Sequence, residues 1–355
     1  MADSQLITPP FAKKRIEYLD ALRGFTMLLV VMTHVSGLVF GVYGKGNYHQ
    51  YFLQFRMPLF FFVSGFVFYK DSIVWNLGNI ISFLRKKVIV QLVSPFLFLL
   101  CYIHLVDKAL IAALTDQYKS GYWFTFTLFS YFILYILLQK VFDVLRLNKT
   151  YRFIALAAIG FLLFNQLHYT NLLKLGVSYD VQSFLGITQM EHFIFFVAGA
   201  CVKKYFAQFE RLIDKTLFVP IVVALYFLIN IFSDLISFNN FYLNNNIKLL
   251  LGLCGIIIVF SWFRKNKSIF EGDGKISNIL KFIGKRTLDI YLLHYFFIPY
   301  DLYKVFPLFA DNSFPVIEFA ATFIVTIFVV AACLVVSSVL RINNTLAHYL
   351  FGAKK

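Results

Sequence analysis

The sequence is poor in charge: lysine, arginine, aspartate and glutamate make up 14% of its 355 residues, against about 25% in soluble globular proteins. This shortage excludes an ordinary soluble domain. Acidic residues are the scarcer kind, with 18 against 33 lysines and arginines, so the net charge is +15. The basic residues form clusters between apolar runs, without a basic face interleaved with aromatic residues. That pattern argues against a nucleic-acid-binding protein.

Cysteine is scarce as well. The four cysteines lie far apart, each inside an apolar run: Cys101, Cys201, Cys254 and Cys333. They form no C-x-x-C pair and no zinc-binding pattern, so we predict no metal site and interpret all four as packing residues.

Apolar residues are correspondingly abundant. With the aromatic residues included they make up 60% of the chain, the aromatic residues alone make up 19%, and the mean hydropathy is +0.74. Because a membrane-spanning helix needs about 20 apolar residues, we predict an all-α integral membrane protein with about ten transmembrane helices in one domain. The predicted spans are roughly residues 20–42, 50–69, 88–106, 122–142, 152–169, 188–203, 217–236, 247–263, 286–304 and 316–340.

The distribution of lysine and arginine predicts the orientation. Most basic residues fall in alternate loops, which places those loops and both termini in the cytoplasm, since short basic loops stay on that side. We therefore predict a cytoplasmic N-terminal tail over residues 1–15, a membrane domain over 16–341 and a cytoplasmic C-terminal tail over 342–355. Membrane lipids surround the domain.

Arg23 and His34 lie eleven residues apart in the first predicted span. Eleven helical steps make about three turns plus 20°, so both side chains project from one face, about 16 Å apart along the axis. Ionisable side chains within a span usually mark a functional site, which predicts the wall of a polar pocket. In the alternative interpretation, Arg23 extends to the lipid headgroups and His34 is a structural hydrogen-bonding residue.

A second polar face is predicted in the ninth span, where Tyr291 and His294 are three residues apart and therefore on one side of the helix. His294 falls near the middle of the span. A second imidazole at this depth favours a cavity shared by the first and ninth spans, although a single buried histidine is more often a structural hydrogen-bonding residue.

The sixth predicted span opens with Glu191 and His192. A carboxylate in this place is able to orient a histidine from another helix, as carboxylates do for catalytic bases, so Glu191 is a candidate catalytic residue. Solvation at the membrane interface is the alternative.

Ser64 and Trp123 are two further candidates for the cavity wall, and each also has a purely structural explanation. Ser64 precedes Gly65, and such a pair of small residues lets another helix approach closely. Trp123 opens the fourth predicted span, where an aromatic residue is typical of the interfacial belt.

Together these segments resemble the membrane acyltransferase family 3. The resemblance lies in an R-x10-H motif, an M-P-L-F-x-x-x-S-G-F segment, an aromatic motif, a glycine-containing span and a G-K-x-x-L-x-I-Y-L-L-H segment: Arg23 with His34, Met57 to Phe66, Tyr122 to Phe124, Phe195 to Ala200, and Gly284 to His294. They follow one another in the family's order, from about residue 16 to 300. Some members carry a fused periplasmic hydrolase-like domain, which we do not expect here.

The resemblance implies a membrane-bound O-acyltransferase of the cell inner membrane. Its members transfer an acyl group, usually acetyl, from a cytoplasmic coenzyme A thioester to a hydroxyl of an envelope carbohydrate, such as capsule, O-antigen, exopolysaccharide or a lipid-linked glycan. Acyl-CoA is then a substrate, and no permanently bound cofactor is expected.

Within that activity the residues receive roles. His34 is expected to act as the base that takes the acceptor's proton or as a transient acyl carrier. Arg23 is expected to hold a phosphate or carbonyl oxygen of the donor, and Asp20, three residues earlier, to fix the Arg23 rotamer beside the cavity.

One departure from the family is plain. Many members have R-x-x-R before the third span, where this chain has Val88 and Gln91. The basic residues Arg85, Lys86 and Lys87 lie about one turn earlier and are expected to bind the donor in their place. A proton-coupled transporter of a carbohydrate or anion remains a second function class, because mid-span histidines also occur in transporters.

Overall fold

The computed structural model describes residues 16–41, 49–165, 175–235, 240–300 and 315–353. Within these ranges the chain is helical and has no β-strand. We number the helices α1 Glu17–Phe40, α2 His49–Phe68, α3 Leu77–Val88, α4 Ser94–Leu105, α5 Leu110–Thr115, α6 Trp123–Val144, α7 Lys149–Phe164, α8 Tyr179–Phe184, α9 Phe193–Lys204, α10 Phe206–Ile213, α11 Phe218–Leu235, α12 Phe241–Lys265, α13 Lys267–Glu271, α14 Lys275–Lys285, α15 Thr287–Phe297, α16 Pro315–Leu340 and α17 Asn344–Phe351. A π-helical segment, Ile89–Val93, joins α3 to α4.

The class of an all-α integral membrane protein is confirmed. Six helical stretches of the described chain are long and apolar enough to cross a membrane: Glu17–Phe40, Tyr51–Phe68, Leu77–Leu105, Trp123–Val144, Phe241–Lys265 and Val316–Leu340. A seventh arises if α10 and α11, which meet at 78°, form one broken span. The number of ten spans and the cytoplasmic termini stay predictions.

Two helices begin before the spans predicted on them. The helix of the third span begins at Leu77, because the Asn76 side chain accepts a hydrogen bond from the Asn79 N–H and caps the helix. The helix of the eighth span begins at Phe241 and is capped in the same way by Asn240. The ninth ends at Phe297, since a residue before proline, here Ile298, favours an extended backbone. Residues 166–169 and 301–304 of the predicted spans lie outside the described residues.

Glycines bring two helix pairs into close contact. A methyl group at Gly65 of α2 would overlap the Phe196 carbonyl oxygen of α9, and one at Gly199 of α9 would overlap the Phe62 carbonyl oxygen of α2. Gly24 of α1 meets the backbone of α14 with the same lack of space. Small residues allow such backbone approach in membrane bundles, so these glycines fix the positions of α1, which carries Arg23 and His34, and of α2, which carries Ser64.

A buried carboxylate fixes the start of α15. Asp289 is 1% exposed and accepts two hydrogen bonds of 2.7 Å from the Arg341 guanidinium after α16. It also accepts from Arg286 at 3.3 Å and from the Ser337 hydroxyl of α16. Paired charges of this kind hold helices in register within a membrane.

A second buried carboxylate joins α1 to α16. The Ser36 hydroxyl donates to Glu318 at 3.1 Å, and Thr322 donates to the same oxygen at 3.0 Å.

Two of the four cysteines, Cys254 and Cys333, are buried in the helix bundle as predicted for packing residues, whereas Cys101 is exposed on the surface of α4.

Candidate active site

A cavity of about 480 Å³ lies among α1, α2, α3, the π-helical segment, α6 and α15. The α1 side of its wall consists of Arg23, Met27, Val30 and His34. These residues recur at intervals of four, three and four, which is one stripe of a helix. Arg23 and His34 therefore share one cavity, as their helical spacing predicts.

Cations gather at the Arg23 end of the cavity. Arg23, Lys70 and Lys87 all belong to its wall, and Lys87 lies within electrostatic range of the other two. The Lys87 ammonium also lies 5.0 Å from the centre of the Phe132 ring. Arg85 and Lys86, expected at the same site, are exposed and outside the wall. Successive residues of a helix point about 100° apart, so only one of the three can face this cavity fully.

The loop with Lys70 is held by its neighbour Asp71. The Asp71 carboxylate accepts hydrogen bonds from Lys149 and Lys204, both at 2.8 Å, and from the Tyr69 hydroxyl at 3.0 Å. These bonds hold the pKa of the Asp71 carboxyl well below its usual value. The loop is thereby tied to α7 and α9 beside the mouth of the cavity.

The guanidinium of Arg23 is held by two groups. Its Nη2 donates to the Thr287 hydroxyl of α15 at 2.8 Å, and its Nη1 lies 4.0 Å from the Asp20 carboxylate. Asp20 is buried behind Arg23 rather than in the cavity wall. This position suits a carboxylate that orients an arginine, and the Asp289 cluster in turn fixes the helix that carries Thr287.

A residue absent from the predicted set, Tyr295, lies against His34. Its hydroxyl oxygen is 3.2 Å from Nε2 and 3.4 Å from Nδ1 of His34, and the two ring centres are 5.1 Å apart. A polar tip on a buried aromatic ring usually finds a hydrogen-bond partner. Here that partner is the half-buried imidazole on the cavity wall.

His294 packs behind this pair. Its ring centre lies 4.1 Å from that of Tyr295 and 5.3 Å from that of His34. The Nδ1 atom lies 3.1 Å and 2.8 Å from the carbonyl oxygens of Ile290 and Tyr291. Carbonyl oxygens only accept, so Nδ1 carries a hydrogen and Nε2 is left as the acceptor. His294 is fully buried and is not in the cavity wall, where we had expected it.

A strained turn closes the His34 end of the cavity. Lys119, Ser120 and Gly121 all have positive φ, of 45°, 51° and 101°, a conformation that costs energy in residues other than glycine. The Gly121 carbonyl accepts a hydrogen bond of 3.1 Å from Tyr291, whose hydroxyl oxygen accepts from the Phe124 N–H at 3.2 Å.

Buried contacts hold this turn in place. The Lys119 ammonium donates to the carbonyl oxygens of Leu114 and Ser183, both at 2.9 Å, and burial lowers the pKa of Lys119 to about 8. The Tyr122 hydroxyl donates to the Leu292 carbonyl of α15 at 3.0 Å. Strain of this kind often occurs at functional sites, and here the turn brings Gly121 and Trp123 to the cavity wall beside Tyr291 of α15.

Glu191 takes a different position from the one expected. Its carboxylate lies 3.4 Å from Nδ1 of the adjacent His192, without hydrogen-bond geometry, and the cavity wall does not include it. The His192 ring packs against Phe61 and Trp123. Glu191 therefore lies outside the wall, next to a histidine of its own segment rather than one from another helix.

Ser64, Trp123 and Tyr291 all belong to the cavity wall. Four residues at the site were not predicted: Lys70 and Gln91 belong to the wall, and Tyr295 and Arg56 lie behind it. Gln91 lies on the wall in the π-helical segment, and its Oε1 is buried with no hydrogen-bond partner among the described residues. It stands at one of the two positions where the resemblance described above leads us to expect arginine, and π-helical segments are frequent at functional sites.

Comparison with known proteins gives one match. The family model of acyltransferase family 3, described as an acyltransferase domain, matches residues 16–338. No significant match was found among curated proteins or among solved structures. The match spans α1 to nearly the end of α16 and includes every wall residue of the cavity. The chain therefore belongs to acyltransferase family 3, and it is an acyl-transferring enzyme of a membrane.

Proposed function

We propose that the protein transfers an acyl group, usually acetyl, from a cytoplasmic acyl-coenzyme A to a hydroxyl of an envelope carbohydrate across the cell inner membrane. One observation carries the proposal. A single cavity has three cations, Arg23, Lys70 and Lys87, at one end and His34, with Tyr295 behind it, at the other. A thioester donor with phosphates at one end and a reactive carbonyl at the other matches that division of charge.

The cationic end suits the donor. Coenzyme A carries several phosphates, and a cleft lined with charges of one sign concentrates a ligand of the opposite sign. The planar guanidinium of Arg23 matches phosphate oxygens in two directions, whereas Lys70 and Lys87 act as point charges. The predicted cytoplasmic location of these residues agrees with the side on which acyl-coenzyme A is present.

The His34 end suits the chemistry. An alcohol becomes a good nucleophile when a base takes its proton, and histidine titrates near working pH. In one route His34 takes the proton of the acceptor hydroxyl, the oxygen attacks the thioester carbonyl, the C–S bond breaks, and coenzyme A leaves as a thiol with that proton. In the other, a nitrogen of His34 attacks the thioester carbonyl, the C–S bond breaks, and coenzyme A leaves as a thiol with the imidazole proton. The acceptor hydroxyl then attacks the acyl-imidazole, the C–N bond breaks, and the hydroxyl proton returns to the imidazole.

The family assignment weakens the alternative of a transporter, which the two mid-span histidines left open. A cavity that joins a donor-binding end to a histidine is also useful to an enzyme whose two substrates come from opposite sides of a membrane. We propose a carbohydrate or lipid-linked glycan as the acceptor because members of this family modify such molecules.

The test has a chemical and a cellular arm. Purified protein in liposomes should transfer radiolabel from acetyl-coenzyme A to glycans extracted from cells without the chain, and envelope glycans from cells with the chain should carry an ester that is absent without it. His34→Ala should lower transfer by about 100-fold or more, whereas His104→Ala, an exposed histidine of α4, should leave it unchanged. Activity of the His34 variant within about threefold of wild type, well short of a base's contribution, would contradict the proposal.

A further inference from the structure

Arg56 of α2 lies near His34 but has no part in the donor binding or the chemistry proposed above. The residue is half-buried, and its Nη1 is shielded from solvent with no hydrogen-bond partner among the described residues. A buried donor without a partner destabilises the protein, and more so when it is charged. A group of this kind in a native protein therefore calls for an explanation.

The burial of the other half-buried arginines of the described chain is explained by ion pairs. Each lies within 4.0 Å of a carboxylate: Arg23 with Asp20, Arg152 with Asp143, Arg264 with Glu210, and both Arg286 and Arg341 with Asp289. Arg85, Arg146 and Arg211 are exposed to the surroundings of the bundle. Within the part of the chain that the structure describes, Arg56 is thus the one half-buried arginine without an ion pair.

Arg56 lies behind the wall at the reacting end of the cavity. Its charge is within electrostatic range of both His34 and Tyr295. The following residue, Met57, and Phe60 one turn later are in the cavity wall. A substrate group beside His34 is therefore within electrostatic range of a cation that has no ion pair among the described residues.

The donor does not supply that charge. If Arg23, Lys70 and Lys87 hold its phosphates, the thioester lies towards His34, and an acetyl thioester is neutral. The remaining molecule at this end is the acceptor. A carboxylate or phosphate next to its reactive hydroxyl would pair with Arg56, since a guanidinium matches both groups with two parallel hydrogen bonds.

We propose that Arg56 is an anion-binding subsite for the acceptor, and that the acceptor is an acidic carbohydrate with a carboxylate or phosphate close to the hydroxyl that receives the acyl group. The inference rests on the proposed function and narrows its substrate class. Arg56 is then a specificity-determining residue, because a neutral sugar would leave the guanidinium unpaired in a desolvated site.

The product provides the first test. Tandem mass spectrometry of envelope glycans from cells with and without the chain identifies the sugar that carries the new ester. We expect that sugar, or its immediate neighbour, to carry a carboxylate or phosphate. An ester on a neutral sugar without an acidic neighbour would overturn this inference alone, while the absence of any new ester would overturn the proposed function as well. An acyl chain that itself carries the carboxylate, on a neutral sugar, would assign the anion to the donor and overturn the acceptor assignment.

Kinetics with the identified acceptor provide the second test. Arg56→Gln should raise the acceptor KM by about 30-fold or more, the loss expected when one partner of a buried charged pair is removed, and should leave donor affinity unchanged. The matched control is Arg211→Gln, an exposed arginine of α10. The difference between wild type and Arg56→Gln should disappear with an acceptor whose carboxyl has been reduced or whose phosphate has been removed.

The same kinetic experiment distinguishes acceptor binding by Arg56 from a second role of this residue. If Arg56 instead stabilises the oxyanion of the tetrahedral intermediate, Arg56→Gln lowers kcat equally for the acidic and the neutralised acceptor, and the proposal is wrong. Size-exclusion chromatography and donor binding by the purified variant establish that the loss is not one of folding.

Discussion

The hydroxyl oxygen of Tyr295 lies within hydrogen-bond distance of the His34 imidazole, 3.2 Å from Nε2. This contact links α15 to the histidine that we propose as base or acyl carrier, so Tyr295 is a positioning residue for it. Tyr295→Phe keeps the ring and removes one hydrogen bond, and we expect transfer to fall about 3- to 10-fold with unchanged donor affinity.

The control for Tyr295→Phe is Tyr102→Phe. The Tyr102 ring also packs on Tyr295, at 5.6 Å, but its hydroxyl bonds to Tyr300 instead of His34. It should retain wild-type transfer. A pH–rate profile distinguishes a positioning role from a structural one. A change in the surroundings of His34 shifts the profile along the pH axis, whereas a purely structural loss lowers the rate by the same factor at every pH. Wild-type rates in Tyr295→Phe would refute the positioning role.

Lys87 and Lys86 offer a comparison between adjacent cations on α3. Lys87 is in the cavity wall and Lys86 is exposed. Lys87→Ala should weaken acetyl-coenzyme A binding about 10-fold, as expected for a hydrogen bond to a charged group, and Lys86→Ala should change it little. Binding is measured on purified protein at two salt concentrations. Equal losses in both variants would mean that the whole basic cluster attracts the donor, as the sequence alone suggests.

Much of the site on α1 follows from the sequence because it lies on one helix. The helical period alone relates Arg23 to His34, and both side chains are in the cavity wall. The same logic cannot choose among Arg85, Lys86 and Lys87, because the period gives their relative directions but not the rotation of α3 about its axis. Packing against α6 sets that rotation, and it turns Lys87 towards Phe132.

The roles of the adjacent residues His294 and Tyr295 illustrate the same limit on α15. Helical spacing joins His294 to Tyr291, yet tertiary packing brings the Tyr295 hydroxyl to His34 and leaves His294 bonded to carbonyl oxygens of its own helix.

The turn at Lys119–Gly121 was also beyond prediction, since its positive φ values depend on buried contacts with Ser183 and Tyr295. An arginine in a predicted span is itself a signal, so Arg56 was visible in the sequence.

The predicted topology can be tested by labelling single cysteines with an impermeant thiol reagent in intact cells, in a background without the four native cysteines. Because most basic residues lie in alternate loops, Lys86→Cys should be protected and Asn244→Cys should react. Permeabilised cells, in which both should react, provide the control. The reverse pattern would invert the orientation and place the cations of the cavity on the outer side.

The glycine contacts between α2 and α9 predict a loss of stability. Gly65→Ala places a methyl group against the Phe196 carbonyl oxygen, and backbone atoms cannot move aside as a flexible side chain can. We expect a destabilisation of about 1–3 kcal/mol, typical of overpacking, measured as a lower Tm of the purified protein. Gly78→Ala on the exposed side of α3 has room for the methyl group and should be neutral or slightly stabilising, since alanine favours helix.

Gly121 combines a left-handed backbone with a close contact, and a second glycine separates the two effects. Gly121 has φ of 101°, and a methyl group there would overlap the Tyr295 ring, whereas Gly176 has φ of 83° with nothing within 4 Å. Both alanine variants carry a backbone strain of about 1–2 kcal/mol, but only Gly121→Ala displaces the tyrosine that contacts His34. We therefore expect a decrease in Tm for both variants that is larger for Gly121→Ala, and a loss of acyl transfer at matched expression for Gly121→Ala alone. Equal activity in both would show that the position of Tyr295 does not limit the reaction, and a loss in both would assign the effect to strain.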